Sequence, residues 1–223
     1  MEGINNKQVL QNKQKETKWT HFISLPLTKP HLVEAYKKLK SEITSDDPDL
    51  EPFFLGSSKA HITLNMLELN EEQVEKIQKI LPLLHNKLPK FNITFKGWGY
   101  FGKKPEKSKY LYLKISNGLQ EINDLCNKIT AFLVEHDILN PQKQNLHNIK
   151  LIGEYPNQKY QLQTVHATFM KSRTKDTFDC SEIINKYSDF EISGIDINQL
   201  HCSIIQPQNA DLYYNSLCVI NLI

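Results

Sequence analysis

Arginine is almost missing from this 223-residue chain: Arg173 stands alone among 27 basic residues, and lysine supplies the others. Against 25 acidic residues the formal net charge is only +2, which excludes a strongly electrostatic protein of the histone-like, duplex-binding kind. Long apolar runs are missing too. No stretch approaches the roughly 20 continuous apolar residues that span a bilayer. The first 18 residues are rich in Asn, Gln and Lys. They have neither the apolar core of a signal peptide nor the Arg-rich, acid-poor character of a mitochondrial presequence. An intracellular protein, cytoplasmic or nuclear and off the membrane, is expected. The four cysteines, Cys126, Cys180, Cys202 and Cys218, contain no C-x-x-C pair. Their scatter argues against a zinc knuckle or a disulfide framework, fits a reducing compartment, and reads as four small core hydrophobes.

What is present is apolar material for a core, at 39% of residues, and an organised pattern of periodicities. Residues 1–17 read as a flexible arm, since little there can be buried to offset ordering entropy, and 18–223 as one domain. His21–Leu27 is strand-like. Leu32, Val33, Tyr36, Leu39 and Ile43 then line one helix face, and Ser45–Asp49 breaks that helix. His61–Leu69 alternates as a strand. Asn70-Glu-Glu-Gln73 caps a second helix running to about Lys87. Strands are expected at 91–101 and 110–116, joined hairpin fashion at Gly102–Pro105. A third helix spans about 119–136, followed by a long polar stretch near 140–160 of the kind that is often functional or lid-like. A strand at 163–170, a short helix at 180–187 and strands at 191–206 and 213–222 complete the chain. The order strand, helix, strand, helix, strand, strand is followed by approximately the same again, a repeat of topology with almost no repeat of sequence.

One short pattern recurs in the two halves. His61-Ile62-Thr63-Leu64 and His166-Ala167-Thr168-Phe169 are both His-x-Thr-apolar, on strands that follow helices. Residues two apart on a strand share a face, so each imidazole stands beside a hydroxyl while Ile62 or Ala167 faces the other layer. Two such strands side by side aim two histidines and two threonines into one cleft. That set suits phosphodiester chemistry. One neutral imidazole takes a proton from the attacking hydroxyl or water, and its protonated partner gives one to the leaving oxygen. The threonine hydroxyls can hold the non-bridging phosphate oxygens. In a chain with eight histidines, chance supplies about half a match to His-x-Ser/Thr-apolar. The third match, His201-Cys202-Ser203-Ile204, lies one hairpin later than the slot shared by the other two, and reads as a core or edge histidine.

With these motifs the chain resembles the 2H (two-histidine) phosphoesterases, and among them the A-kinase anchor protein 7-like phosphoesterase domain. The stretches that carry the likeness are Phe22–Leu27, the His61 motif through Leu69, Gly97-Trp-Gly-Tyr-Phe-Gly102 and His166–Lys171, and it extends from about Trp19 to Ile223. The resemblance implies an α+β, duplicated two-lobe fold, with antiparallel sheets around a central cleft and helices outside. It further implies a phosphodiesterase using no metal or cofactor and acting on short RNA-type substrates, 2′,5′-linked or 2′,3′-cyclic, or else nucleotide monophosphate binding. Carried over, His61 and His166 become the acid–base pair and Thr63 and Thr168 the phosphate holders. Thr164-Val165 stands where relatives often have Lys-Pro before the second histidine. Kinase anchoring is not expected, since the chain ends in the strand-like Leu217–Ile223 and not in an amphipathic helix.

Substrate-binding candidates surround the tetrad. Tyr100 and Phe101, in a Gly-flanked hairpin, offer faces for a base, with a packed aromatic hairpin as the alternative. Lys171 and Arg173 follow the second motif and can reach a terminal phosphate, and Phe22 and Ser24 can line the cleft. Two readings result. One is a phosphodiesterase. The other is a nucleotide-binding or structural subunit of a larger assembly, meeting other protein subunits through the N-terminal arm and the 140–160 loop.

Overall fold

Apolar residues on both sides of His21–Pro26 make it a strand buried along its length, β1. The computed structural model describes residues 19–223 except 143, 145, 155–156 and 207–211. The arm expected at 1–17 therefore lies outside the described residues. Proline at the first helical position opens α1 (Pro30–Asp46), whose buried stripe is Leu32, Tyr36, Leu39 and Ile43. It ends where the Asp47 side chain accepts from the Asp49 N–H at 3.1 Å. β2 (His61–Leu67) follows. Asn70 and Gln73 form a reciprocal capping box at the start of α2 (Glu71–Ile80). The regular helix stops short of the expected Lys87, because Pro82 cannot donate to a preceding carbonyl and Leu81–Leu84 tightens into a 3₁₀ turn.

β3 (Phe91–Gly102) and β4 (Ser108–Asn117) form the expected hairpin. α3 (Leu119–Glu135) buries Ile122, Leu125, Cys126, Ile129 and Leu133. The polar stretch after it contains a small hairpin, β5 (Ile149–Ile152) with β6 (Lys159–Leu162). α3 anchors that hairpin: Asn127 Oδ1 accepts from the Tyr160 N–H at 2.8 Å and Asn123 Oδ1 from the Leu162 N–H at 3.2 Å. β7 (His166–Lys171) and α4 (Ser181–Lys186) come next. The long strand expected at 191–206 is two, β8 (Glu191–Ile197) and β9 (Gln199–Ile204), and β10 (Ser216–Asn221) closes the chain.

The eight strands of the main sheet run in the order β10-β9-β1-β2-β7-β4-β3-β8, with antiparallel pairing throughout. Each four-strand half takes two strands from each half of the chain, so the duplicated topology is exchanged between lobes and not segregated into them. The break at Asn198 is where the chain crosses from one lobe to the other. The lobes meet at β2 and β7, where Ile62 pairs with Ala167. Beneath that seam Phe169, 2% exposed, packs edge-on against Tyr36, Phe54 and Trp98 at 4.6, 5.3 and 5.2 Å between ring centroids. A fully buried side chain of this size contributes about 1.5–3 kcal/mol over its exposed state.

Candidate active site

Both motif strands show the same succession of half-buried and buried residues over six positions. His61, Thr63, His166 and Thr168 are half-buried, while Ile62 and Ala167 are buried. Antiparallel register through the Ile62–Ala167 pair sets His61 across from Thr168 and Thr63 across from His166, all on one face. After each motif the alternation breaks. Ser24 pairs with Thr63 and Ile23 with Asn65, so Leu64 is an extra residue; Tyr112 pairs with Thr168 and Leu111 with Met170, so Phe169 is one too. The apolar fourth position of each motif is therefore the inserted residue of a β-bulge. It sends two successive side chains into the core and bends the strand just beyond the threonine.

The two imidazoles are oriented alike. Nδ1 of His61 donates to the Lys59 carbonyl at 2.6 Å, and Nδ1 of His166 donates to the Thr164 carbonyl at 3.3 Å, two residues upstream in each case. A carbonyl only accepts, so the proton of each neutral ring sits on Nδ1 and Nε2 is the basic nitrogen. Among the described residues neither Nε2 has a hydrogen-bond partner, and neither do the hydroxyls of Thr63 and Thr168. Burial pushes His61 down to about 4; the Lys59 carbonyl opposes this, and the charges of His166 and Lys171 add to it. His166 is also lowered, by burial first, with the Thr164 carbonyl opposing and His147 adding. His201 is held differently: its Nδ1 bonds Ser216 Oγ at 2.8 Å and its Nε2 meets Gln199 Oε1 at 3.5 Å.

Aromatic walls flank each imidazole. Phe22, 3% exposed, lies 5.1 Å from His61, and Tyr214 meets the same ring edge-on at 5.5 Å. Phe101 and Tyr112 stand at 5.2 and 5.1 Å from His166. Tyr112 lies so flat over Gly99 that a Cβ there would come within 2.3 Å of its ring. Tyr100, paired with the buried Leu111, alternates to the opposite side and packs on the core, so it is not brought to the histidines. Lys171 stands over the Tyr110 ring at 5.3 Å, and its charge reaches His61. Arg173 is exposed, and its charge reaches Tyr214 from the other lobe.

Sequence reasoning missed Tyr112, Tyr213, Tyr214, Lys59 and Asn148. Tyr213 bonds Ser24 Oγ at 2.8 Å through its hydroxyl and meets His201 edge-on at 5.3 Å. The Lys59 ammonium donates to the Leu212 carbonyl and lies 5.0 Å from the Tyr214 ring. Only Tyr112 had a local signal, the alternation of Tyr110-Leu111-Tyr112. Among the described residues no three His, Cys, Asp or Glu side chains converge as a metal-ligand set, and no helix is long and apolar enough to cross a membrane.

A family model described as the AKAP7 2'5' RNA ligase-like domain matches residues 19–222. The chain belongs to that family, within the 2H phosphoesterases. Over 100 residues it is 31% identical to an uncharacterized protein of Schizosaccharomyces pombe, covering 41% of this chain and 47% of the relative. Over 136 residues it is 26% identical to human A-kinase anchor protein 7 isoform gamma, covering 57% of this chain and 39% of that one. The chain thus spans less than half the length of the curated relatives it matches. Escherichia coli LigT, solved in complex with 3'-AMP, superposes with a TM-score of 0.55 at 12% identity over 92% of this chain and 98% of LigT. TT0787 of Thermus thermophilus gives 0.56 at 14% identity over 91% and 97%. These two likenesses show the fold, the α+β two-lobe architecture expected from the sequence.

Proposed function

We propose that this protein is a phosphodiesterase of short RNA-type substrates, acting on 2′,5′-linked or 2′,3′-cyclic phosphate esters through its two histidines. One observation carries the reading: both imidazoles are tethered through Nδ1 to a carbonyl two residues upstream, which leaves two basic Nε2 atoms on one face beside two threonine hydroxyls that have no hydrogen-bond partner among the described residues.

The greater depression of His61 supports one division of roles. His61, the more depressed, is neutral over the wider range and acts as base. Its Nε2 takes the proton of the attacking hydroxyl or water as the new P–O bond forms. His166, in its protonated form, gives its Nε2 proton to the leaving oxygen as the old P–O bond breaks. Each carbonyl tether steadies the positive ring that forms. Thr63 and Thr168 donate to the non-bridging oxygens, whose charge grows in the transition state. Both proton transfers and the charge stabilisation thus have protein groups assigned. With water as the attacking group the product is a phosphomonoester; with the substrate's neighbouring hydroxyl it is a 2′,3′-cyclic phosphate, which water opens to the monoester in a second round. A nucleoside monophosphate is accordingly a product-like ligand of the cleft. Phe101 and Tyr112 offer the base a stacking face, and Lys171 and Arg173 attract its phosphate.

The test is incubation with 2′,5′- and 3′,5′-linked oligoadenylates and 2′,3′-cyclic nucleotides, with and without a chelator, followed by product identification. Turnover insensitive to chelation is expected, with His61→Ala and His166→Ala each lowering it about 10²–10⁴-fold. Full activity of His61→Ala on every substrate cleaved, or nucleotide binding with no turnover of any, sinks the catalytic reading.

A further inference from the structure

Two of the four cysteines are not scattered in space. Cys202 on β9 is the direct antiparallel partner of Cys218 on β10, and directly opposed residues share a face. The pair lies at a bulge, since Ser216 pairs with Ser203 and Cys218 with Cys202, leaving Leu217 as the inserted residue. β10 is an edge strand of the sheet, the kind of position that moves with least disruption to its neighbours. Cys202 is fully buried, whereas Cys218 is only half-buried.

We infer that Cys202 and Cys218 form a reversible disulfide that pins the start of β10 to β9. Directly opposed cysteines on antiparallel strands meet the Cα separation that the bond requires, about 4.4–6.8 Å. Ser216, next to the bulge, bonds His201 Nδ1 at 2.8 Å and Ser203 Oγ at 3.1 Å. Tyr213 and Tyr214, which wall His61, directly precede this segment. The bond would therefore fix the strand from which that wall hangs. The two thiols also interact: the pairing with Cys202 lowers Cys218, which makes the less buried residue the better thiolate, and raises Cys202.

A peroxide supplies the oxidant. The Cys218 thiolate attacks one peroxide oxygen and the O–O bond breaks, giving a sulfenic acid and, with one proton, water. Cys202 Sγ then attacks Cys218 Sγ, the S–S bond forms, and the hydroxyl leaves as water with the Cys202 proton. Two thiols are oxidised by two electrons and one peroxide is reduced to two waters. A small dithiol reverses the reaction.

The experiment is graded hydrogen peroxide treatment of the full chain, then alkylation under denaturing conditions, intact mass and peptide mapping. Four alkylated cysteines in the reduced protein should fall to two, with the Cys202 and Cys218 peptides joined and a mass about 2 Da lower before alkylation. Dithiothreitol should restore all four. Cys218→Ser should leave three alkylated, and Cys126→Ser/Cys180→Ser should still form the bond. The oxidised wild type should melt higher than the reduced one, a difference absent in Cys218→Ser. Retention of four reactive thiols under excess peroxide, or a bond mapping to Cys126 or Cys180, overturns the assignment. A bond between Cys202 and Cys218 with no change in melting overturns the pinning of β10.

Discussion

Ile62 and Ala167 pair across the junction of the two lobes, each flanked on its own strand by the histidine and threonine of its motif. The side chain that holds the seam closed is thus one bond vector away from the groups proposed to do the chemistry. Ile62 is 0% exposed, and truncation there removes buried methyl groups where the core can relax only in part. Ile62→Ala should lower unfolding free energy by about 2–5 kcal/mol and Ile62→Val by about 0.5–1.5. Urea denaturation checks both. A loss below about 0.5 kcal/mol for the alanine variant would show that the seam does not depend on this pair.

The pH profile follows from two depressed imidazoles. With the proposed roles, the active form has His61 neutral and His166 protonated, so kcat/KM should be bell-shaped, rising near His61's value of about 4. It should fall at the His166 value, below 6.5. The optimum therefore lies on the acid side of neutrality. Stability carries the same sign. A histidine lowered by folding contributes stability that is full above its unfolded value and is lost as pH falls toward the folded one. His61→Gln should accordingly blunt the loss of stability between about pH 6.5 and pH 4. An optimum above pH 8 would contradict the assignment of roles.

How much of this was legible in the sequence can be argued from the motif strands themselves. Period-two alternation placed His61 with Thr63 and His166 with Thr168, because it is set by local backbone geometry. Leu64 and Phe169 were seen as the apolar fourth residues of the motifs, but their bulges were not, because a bulge depends on the register of the neighbouring strand. Tyr213 and Tyr214 are about 150 residues from His61 and reach it only because β9 and β10 join the lobe of β1 and β2. Phe101 and Tyr100 had equal claims as base-stacking residues until pairing with Tyr110 and Leu111 put them on opposite faces. Local pattern specified which residues share a strand face, whereas pairing between distant strands decided which faces meet.

Asn148 acts on His166 at one remove. Its Nδ2 donates to the Thr164 carbonyl at 2.7 Å and its Oδ1 accepts from the Thr164 N–H at 3.1 Å. The same carbonyl tethers His166 Nδ1, and its hydrogen bond raises that imidazole. Asn148 is therefore a positioning residue. Asn148→Ala should lower kcat about tenfold with little change in KM, and shift the alkaline limb of kcat/KM to lower pH as the tether loosens. A variant with a lower melting temperature and an unmoved limb would show a structural role only.

Gly99 admits the ring that walls His166. A Cβ at that position would come within 2.3–2.5 Å of three Tyr112 ring and hydroxyl atoms, a distance real contacts do not tolerate, so Gly99→Ala must displace the tyrosine. Tyr112 stands 5.1 Å from His166 and 4.8 Å from Phe101, and its displacement disturbs both the imidazole and the proposed base-stacking face. Gly99→Ala should weaken nucleoside monophosphate binding by about tenfold, within the span of one lost base–aromatic stack. Tyr112→Ala should weaken it to a similar degree. The double variant decides the cause: with the ring gone the three nearest contacts of the new methyl go with it, so Gly99→Ala/Tyr112→Ala should bind no worse than Tyr112→Ala alone. Additive losses, read by calorimetric titration with AMP, would mean that Gly99 acts through its backbone and not by making room for Tyr112.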